Sequence, residues 1–199
     1  RHRMVGDEET IRYGTDMARL SRDDWIDAAY ARFSDDGIAA VAVEPVARAL
    51  GATKGSFYWH FADRAALVDA VLDRWETLQT EALIAEVERT AVPRERLEHL
   101  VRIVTERIPQ RGGEVTLYAA AERNGVADRV ARVTERRVSY IAGILTALGL
   151  DEQEARRRAI TVTASVVGYQ QLVATGWDSR LDSVERRAAS LLELAPGRV

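Results

Sequence analysis

The chain contains no cysteine. It therefore has no disulfide framework and no thiolate metal site, which suits a reducing cytoplasm, the compartment expected here. Proline is scarce, at four in 199 residues. No segment alternates apolar and polar residues between turn pairs, so strands are not expected. No apolar run approaches the roughly 18 residues of a membrane span. The opening Arg1-His2-Arg3-Met4 resembles neither a signal peptide nor an anchor. Three scattered histidines, with no cysteine, leave few nucleophiles or metal ligands. There is no phosphate-cradling glycine-rich loop, no His-Glu-x-x-His and no Gly-x-Ser-x-Gly. No catalytic residue, cofactor or metal site is expected, and the chain does not read as an enzyme. Lysine is nearly absent: Lys54 stands alone among 28 basic side chains. The formal net charge is −3. That excludes a globally basic nucleic-acid binder, so any DNA contact must rest on a local patch.

What is present is helical pattern. Hydrophobic residues make up 47% and charged residues 30%, as in ordinary globular proteins. Residues 1–20 are polar and read as a flexible arm. Ser21, with Asp24 three residues on, starts a helix that carries Trp25, Ile26, Ala29, Tyr30 and Phe33. Asp35-Asp36-Gly37 ends it. A short helix follows from Val43 to Leu50, with Pro45 in its first turn. Gly51 ends it in a left-handed conformation. Thr53 caps a two-turn helix over Lys54–His60. Asp63 opens a long helix with Leu67, Val68, Val71, Leu72 and Trp75. Further helices are expected over 93–108, 114–123, 126–148, 151–175 and 182–195. The run Arg156-Arg157-Arg158 reads as a solvated helix face beside Glu152 and Glu154.

The segment Val43–Phe61 is a helix, a glycine turn and a second short helix, the arrangement that lays a helix in a major groove. Val46, Ala47 and Leu50 are placed to pack on Phe57 and on the helix at Trp25–Phe33. Phe57 and Phe61 lie four apart and face inward. Lys54, Gly55, Tyr58 and Trp59 are left facing outward. Lys54 and the Tyr58 hydroxyl suit phosphates, and Gly55 lets a backbone or base edge come close. Residues 46–64 carry Arg48, Lys54 and Arg64 against Asp63, a net of +2. Residues 21–76 carry six basic and ten acidic side chains, a net of −4. The acids are therefore expected on the face away from DNA.

Leu50-Gly51-Ala52-Thr53-Lys54-Gly55-Ser56-Phe57-Tyr58-Trp59-His60-Phe61, followed by Asp63-Arg64 and Leu67, resembles the turn and recognition helix of the tetracycline-repressor (TetR) family. The resemblance implies an all-α chain. An N-terminal three-helix, helix-turn-helix DNA-binding domain (21–66) would be followed by a C-terminal helical ligand-binding and dimerisation domain (67–199). It implies a regulator, typically a repressor, released from a palindromic operator by a small-molecule effector. By position, Thr53, Lys54, Gly55, Ser56, Tyr58, Trp59, His60 and Arg64 match DNA-contacting or contact-supporting residues. Two positions depart from the family's habit. Ala42 stands where a capping, phosphate-touching Thr is common. Glu44 stands where a basic base-reader is common; it would repel phosphate but can accept from cytosine N4. The other reading is a helical ligand-binding or interaction module with weak or lost DNA recognition.

In the second half, the helix over 152–175 is apolar on more than one face, and 182–195 shows a single stripe. These two helices are expected to pair across a homodimer. The middle helices mix apolar residues with Thr105, Thr116, Glu122 and Asn124, the pattern of a small-molecule pocket. Trp75, Tyr118, Tyr140, Val166 and Gln170 are the candidate effector contacts; core packing is the other reading of each.

Overall fold

A computed structural model describes residues 20–107 and 112–177, with Arg186, Ala189, Ser190, Leu192 and Glu193 beyond them. The expected arm over 1–20, except Leu20, lies outside the described residues. So does most of the expected helix over 182–195.

The described residues form helices and no strand. Helix α1 is Arg22–Asp36. Its start is a reciprocal cap: the Asp24 N–H donates to Ser21 Oγ (3.2 Å) and the Ser21 N–H to Asp24 Oδ2 (2.7 Å). These bonds hold the Asp24 carboxyl below the usual carboxylate range. Gly37, at φ 80°, ends the helix. A short 3-10 turn at Ile38–Ala40 leads to α2, Val43–Ala49. Gly51, at φ 62°, turns the chain into α3, Lys54–Phe57. Asp63 caps α4, Arg64–Glu76, through the Ala66 N–H (2.9 Å). A π-helical stretch, Thr77–Glu81, carries α4 without a break into α5, Ala82–Val87.

Then follow α6 (Pro93–Arg107), α7 (Gly112–Ala120), α8 (Ala127–Ala147) and α9 (Glu152–Ala174). Gly149, at φ 97°, closes α8. Asp151 caps α9 through the Glu154 N–H (3.0 Å). Helices α8 and α9 form an antiparallel hairpin. Arg156 ties it with two hydrogen bonds to Glu135 (2.8 and 2.9 Å). Arg157 and Arg158 pair with Glu154 on the same surface.

Two apolar cores hold the chain. The first gathers Trp25, Phe33, Val46, Phe57, Phe61, Leu67, Val71 and Trp75 with Leu117, Ala121, Val130 and Val133. It therefore runs from the first three helices through α4 into α7 and α8. The second joins Leu83, Val87, Leu97, Leu100 and Val101 to Val138, Leu145, Ala155, Ala159 and Val162. Helix α8 contributes to both cores, and α7 joins the first core to the side of α8 that faces the second. A Cβ on Gly113 would collide with the Phe33 carbonyl at the end of α1. The next residue, Glu114, is buried and faces α8.

Candidate nucleic-acid interface and candidate ligand cavity

The second motif helix is shorter than its sequence suggests. It makes one turn, Lys54–Phe57, in place of the expected two over 54–60. Beyond Phe57 the chain tightens: the Trp59 N–H donates to Ser56 O (3.3 Å) and the His60 N–H to Phe57 O (2.9 Å). This tightening stacks Phe57 on Phe61, with ring centroids 5.4 Å apart and both rings buried. Trp25 closes over Phe57 edge-on, also at 5.4 Å.

Thr53 caps the helix, accepting from the Ser56 N–H (3.2 Å), and Ser56 Oγ donates back to Thr53 O (2.8 Å). Both hydroxyls are thus engaged locally. Gly55 is exposed, and a Cβ there would make only an ordinary 3.7 Å contact with Thr53 Oγ1. Nothing inside the chain requires a glycine at that place. Tyr58 is 55% exposed and Trp59 81% exposed. Two adjacent large aromatics outside the core form an exposed patch of the kind found at interaction sites. His60 is half-buried, its ring 6.4 Å from that of Trp25.

Arg64 does not point outward. Its Nε donates to Val41 O (2.6 Å) and its Nη2 to Ile38 O (3.2 Å). It fastens the start of α4 to the turn that feeds α2. Glu44 and Lys54 form an exposed ion pair across α2 and α3 (3.1 Å). The hydrogen bond from Lys54 to Glu44 holds the lysine pKa above its ordinary value. Counting Glu44 with residues 46–64 lowers the local net from +2 to +1. Ala42 offers no side-chain cap to α2.

Most acids of the N-terminal unit are taken up in caps and pairs. Asp24 and Asp63 cap helices. Asp27 pairs with Arg74 and Asp36 with Arg32. Asp73 and Glu76 share Arg129 of α8 (2.5 and 2.6 Å). Sequence reading missed Arg22, whose guanidinium lies 4.8 Å over the Phe61 ring. That contact joins residues far apart in the chain, so no local spacing announces it.

The second site is a cavity of about 680 Å³, counting its open mouth. It lies between the π-helical stretch, α5, α6, α8 and α9. Leu83, Leu100, Val101, Val104, Ile141 and Val162 are among its apolar wall residues. Of the candidate effector contacts, Tyr140, Val166 and Gln170 line it. Trp75 and Tyr118 are not brought to the wall. Trp75 is fully buried in the first core, beneath the Arg137 guanidinium (5.0 Å). The Tyr118 hydroxyl bonds that of Thr134 (3.2 Å).

The polar residues of the middle helices also sort differently from expectation. Thr105 Oγ1 donates to Val101 O (2.6 Å), and Asn124 Nδ2 to Ala120 O (2.9 Å). Both satisfy their own helices. The polar wall is instead Gln79, Thr80, Glu114, Arg137, Thr163 and Gln170. Arg137 donates to Glu114 Oε1 (2.6 Å) and to Thr80 Oγ1 (2.9 Å). Burial works against the Arg137 charge, but Glu114 and Tyr118 together outweigh it and hold the pKa above its ordinary value. The pair is set by helix packing, so sequence gives no sign of it beyond two charges on helix faces. No group of three metal-ligating side chains occurs among the described residues. None of their helices is long and apolar enough to cross a membrane.

Residues 26–71 match the model of the bacterial regulatory proteins, tetR family. The HTH-type transcriptional regulator TtgR of Pseudomonas putida is 36% identical over 63 residues. That match covers 32% of this chain and 30% of TtgR, so the chain spans under a third of that relative's length. A putative TetR-family transcriptional regulator from Rhodococcus sp. superposes with a TM-score of 0.66 at 26% identity. It covers 86% of this chain and 94% of its own. The transcriptional regulator FadR of Bacillus subtilis, solved in complex with stearoyl-CoA, gives 0.65 at 17% identity, covering 90% of this chain and all of its own. At that identity the likeness is one of fold.

Proposed function

We infer that this chain, a tetR-family protein by its residues 26–71 and by its fold, is a DNA-binding transcriptional regulator. One observation carries the reading. At the end of a capped single-turn helix, Tyr58 and Trp59 stand exposed near Lys54, while Phe57 and Phe61 hold the segment from within. Such a face suits a phosphate-lined groove. Lys54 and the Tyr58 hydroxyl reach phosphates, Gly55 admits close backbone approach, and Trp59 packs against sugar or base. His60 and Arg64 act from beneath, His60 against Trp25 and Arg64 on the carbonyls before α2. Thr53 and Ser56 shape the helix start.

The partner is double-stranded operator DNA, read as two half-sites by a homodimer. Helix α9 supports the dimer. Ile160 (48% exposed) and Leu172 (50% exposed) lie on one face with exposed Ala164 and Gly168 between them. A Cβ on Gly168 would meet nothing within 4 Å, which leaves room for a facing helix. The cavity is the effector site, and the regulator is a repressor working in the cytoplasm. Its coupling to DNA has two routes. The α4 helix runs from the motif into the π-helical stretch that lines the cavity. Helix α7 presses Gly113 on α1 and sends Glu114 to the cavity. An effector that prefers one arrangement of these helices changes the spacing of the two recognition helices and so releases DNA.

The Lys54–Glu44 pair favours a second reading, a helical module whose DNA recognition is weak, because the exposed cation is already partnered. A salt series separates the two. A regulator binds a few genomic sites at sub-micromolar, steeply salt-dependent affinity; uniform weak binding supports the module. As point tests, Lys54→Ala weakens operator binding about tenfold or more and flattens the salt slope by about 0.9. Tyr58→Phe weakens binding less. Both leave the dimer intact by sedimentation. Unchanged binding in both would remove the α3 face from the interface.

A further inference from the structure

Four lining side chains carry buried polar atoms without a hydrogen-bond partner, Gln79, Arg137, Tyr140 and Gln170, and among them Gln170 alone leaves both ends of an amide unused. Gln170, on α9, is 1% exposed and lines the cavity. Neither its Nε2 nor its Oε1 has a hydrogen-bond partner among the described residues. A buried primary amide left in this way is destabilising, and native proteins seldom keep one without a use. Gln79, on the π-helical stretch, adds an acceptor Oε1 with no partner to the same wall. Among the lining residues there is one charge of each sign. These belong to Glu114 and Arg137, paired at 2.6 Å, with side chains 3% and 15% exposed. An anionic guest would bring a net negative charge among Leu83, Leu100, Val101 and Val162, and a cationic guest a net positive one. Both are penalised where water is scarce.

We propose that this cavity takes a neutral, mainly apolar molecule bearing an adjacent hydrogen-bond donor and acceptor, of the carboxamide class, with that head seated on Gln170. The proposal rests on the reading of the cavity as a ligand site and names the chemistry it selects. A carboxamide offers an N–H to Gln170 Oε1 and a carbonyl to Gln170 Nε2, satisfying both unused atoms at once. Its tail lies along the wall of Leu83, Leu100, Val104 and Ile141.

The test is calorimetric titration of the full-length protein with three probes of one chain length: octanamide, octanoate and octylamine. Octanamide is expected to bind at least tenfold more tightly than either charged probe. Gln170→Leu keeps an apolar side chain in the space. It is expected to lower octanamide affinity tenfold or more while leaving the thermal midpoint equal or higher. Gln170→Glu is expected to shift preference toward octylamine. Octanoate binding as well as octanamide, none of the three binding, or an unchanged octanamide affinity in a folded Gln170→Leu protein would each overturn the proposal. The probe order in the unaltered protein decides the matter even where a variant does not fold. Operator binding is measured in parallel with octanamide present. Octanamide bound through Gln170 with operator affinity unchanged refutes effector control and leaves the ligand class standing.

Discussion

The molecule contains two ion pairs of opposite setting, one in each of its working regions. Lys54 and Glu44 meet at 3.1 Å on the α2–α3 face, with side chains 58% and 68% exposed. Arg137 and Glu114 meet at 2.6 Å in the cavity wall, 15% and 3% exposed. The first pair sits in water, where it adds little to stability and a phosphate can replace the carboxylate with small loss. The second is enclosed, so removing either partner breaks a buried charge pair, which is costly. One region keeps its chemistry on the outside and exchangeable. The other keeps it inside and committed.

The largest expected effect breaks the enclosed pair. Arg137→Met takes the buried cation away from Glu114 and costs about 3–5 kcal/mol, a thermal midpoint lower by roughly 10 °C for a chain of this size. Combining it with Glu114→Leu restores most of the loss. Calorimetric melts of the single and double variants check this, and a double variant no better than the single would refute the pair's role.

Next comes the contact of α7 with α1. Gly113→Val drives a side chain into the Phe33 carbonyl and costs about 3 kcal/mol. It is expected to weaken operator binding as well, because α1 moves with α7. A melt unchanged within error would mean that α7 does not press on α1.

Thr53→Ala removes the cap of α3 and costs about 1 kcal/mol. Operator affinity falls with it while octanamide binding in the cavity is kept. The smallest effect on stability belongs to the exposed pair. Glu44→Gln leaves the thermal midpoint unchanged, frees Lys54, and tightens non-specific DNA binding several-fold with a steeper salt dependence. If Glu44 instead reads a cytosine, the same variant loses preference among operator variants at that position. A set of operator substitutions measures it.

The features legible in advance are those carried by short spacing. Ser21 and Asp24 announced the start of α1, and Gly51, Thr53 and Asp63 punctuated the motif, because caps and left-handed turns involve residues within three or four positions. The inward pair Phe57 and Phe61 followed from the same periodicity. The length of α3 did not, since helical propensity beyond Phe57 yields to the packing of both rings against Trp25. Arg64 was legible as a motif residue but not in its direction. Its guanidinium is held by the carbonyls of Ile38 and Val41, more than twenty residues away. In the middle helices aromatic character pointed to Trp75 and Tyr118, yet the cavity forms one layer away, beside Arg137.

Local order along the chain thus settled most of the described helices, their capped starts and the outward face at Lys54, Tyr58 and Trp59. Backbone hydrogen bonds and side-chain period act over a few residues and need no partner from elsewhere. Tertiary packing decided the rest: which charges cancel, which arginine turns inward, and where Gln170 is left with its amide unused. Those outcomes depend on which helix faces which, and desolvation assigns their energies only after the helices have met.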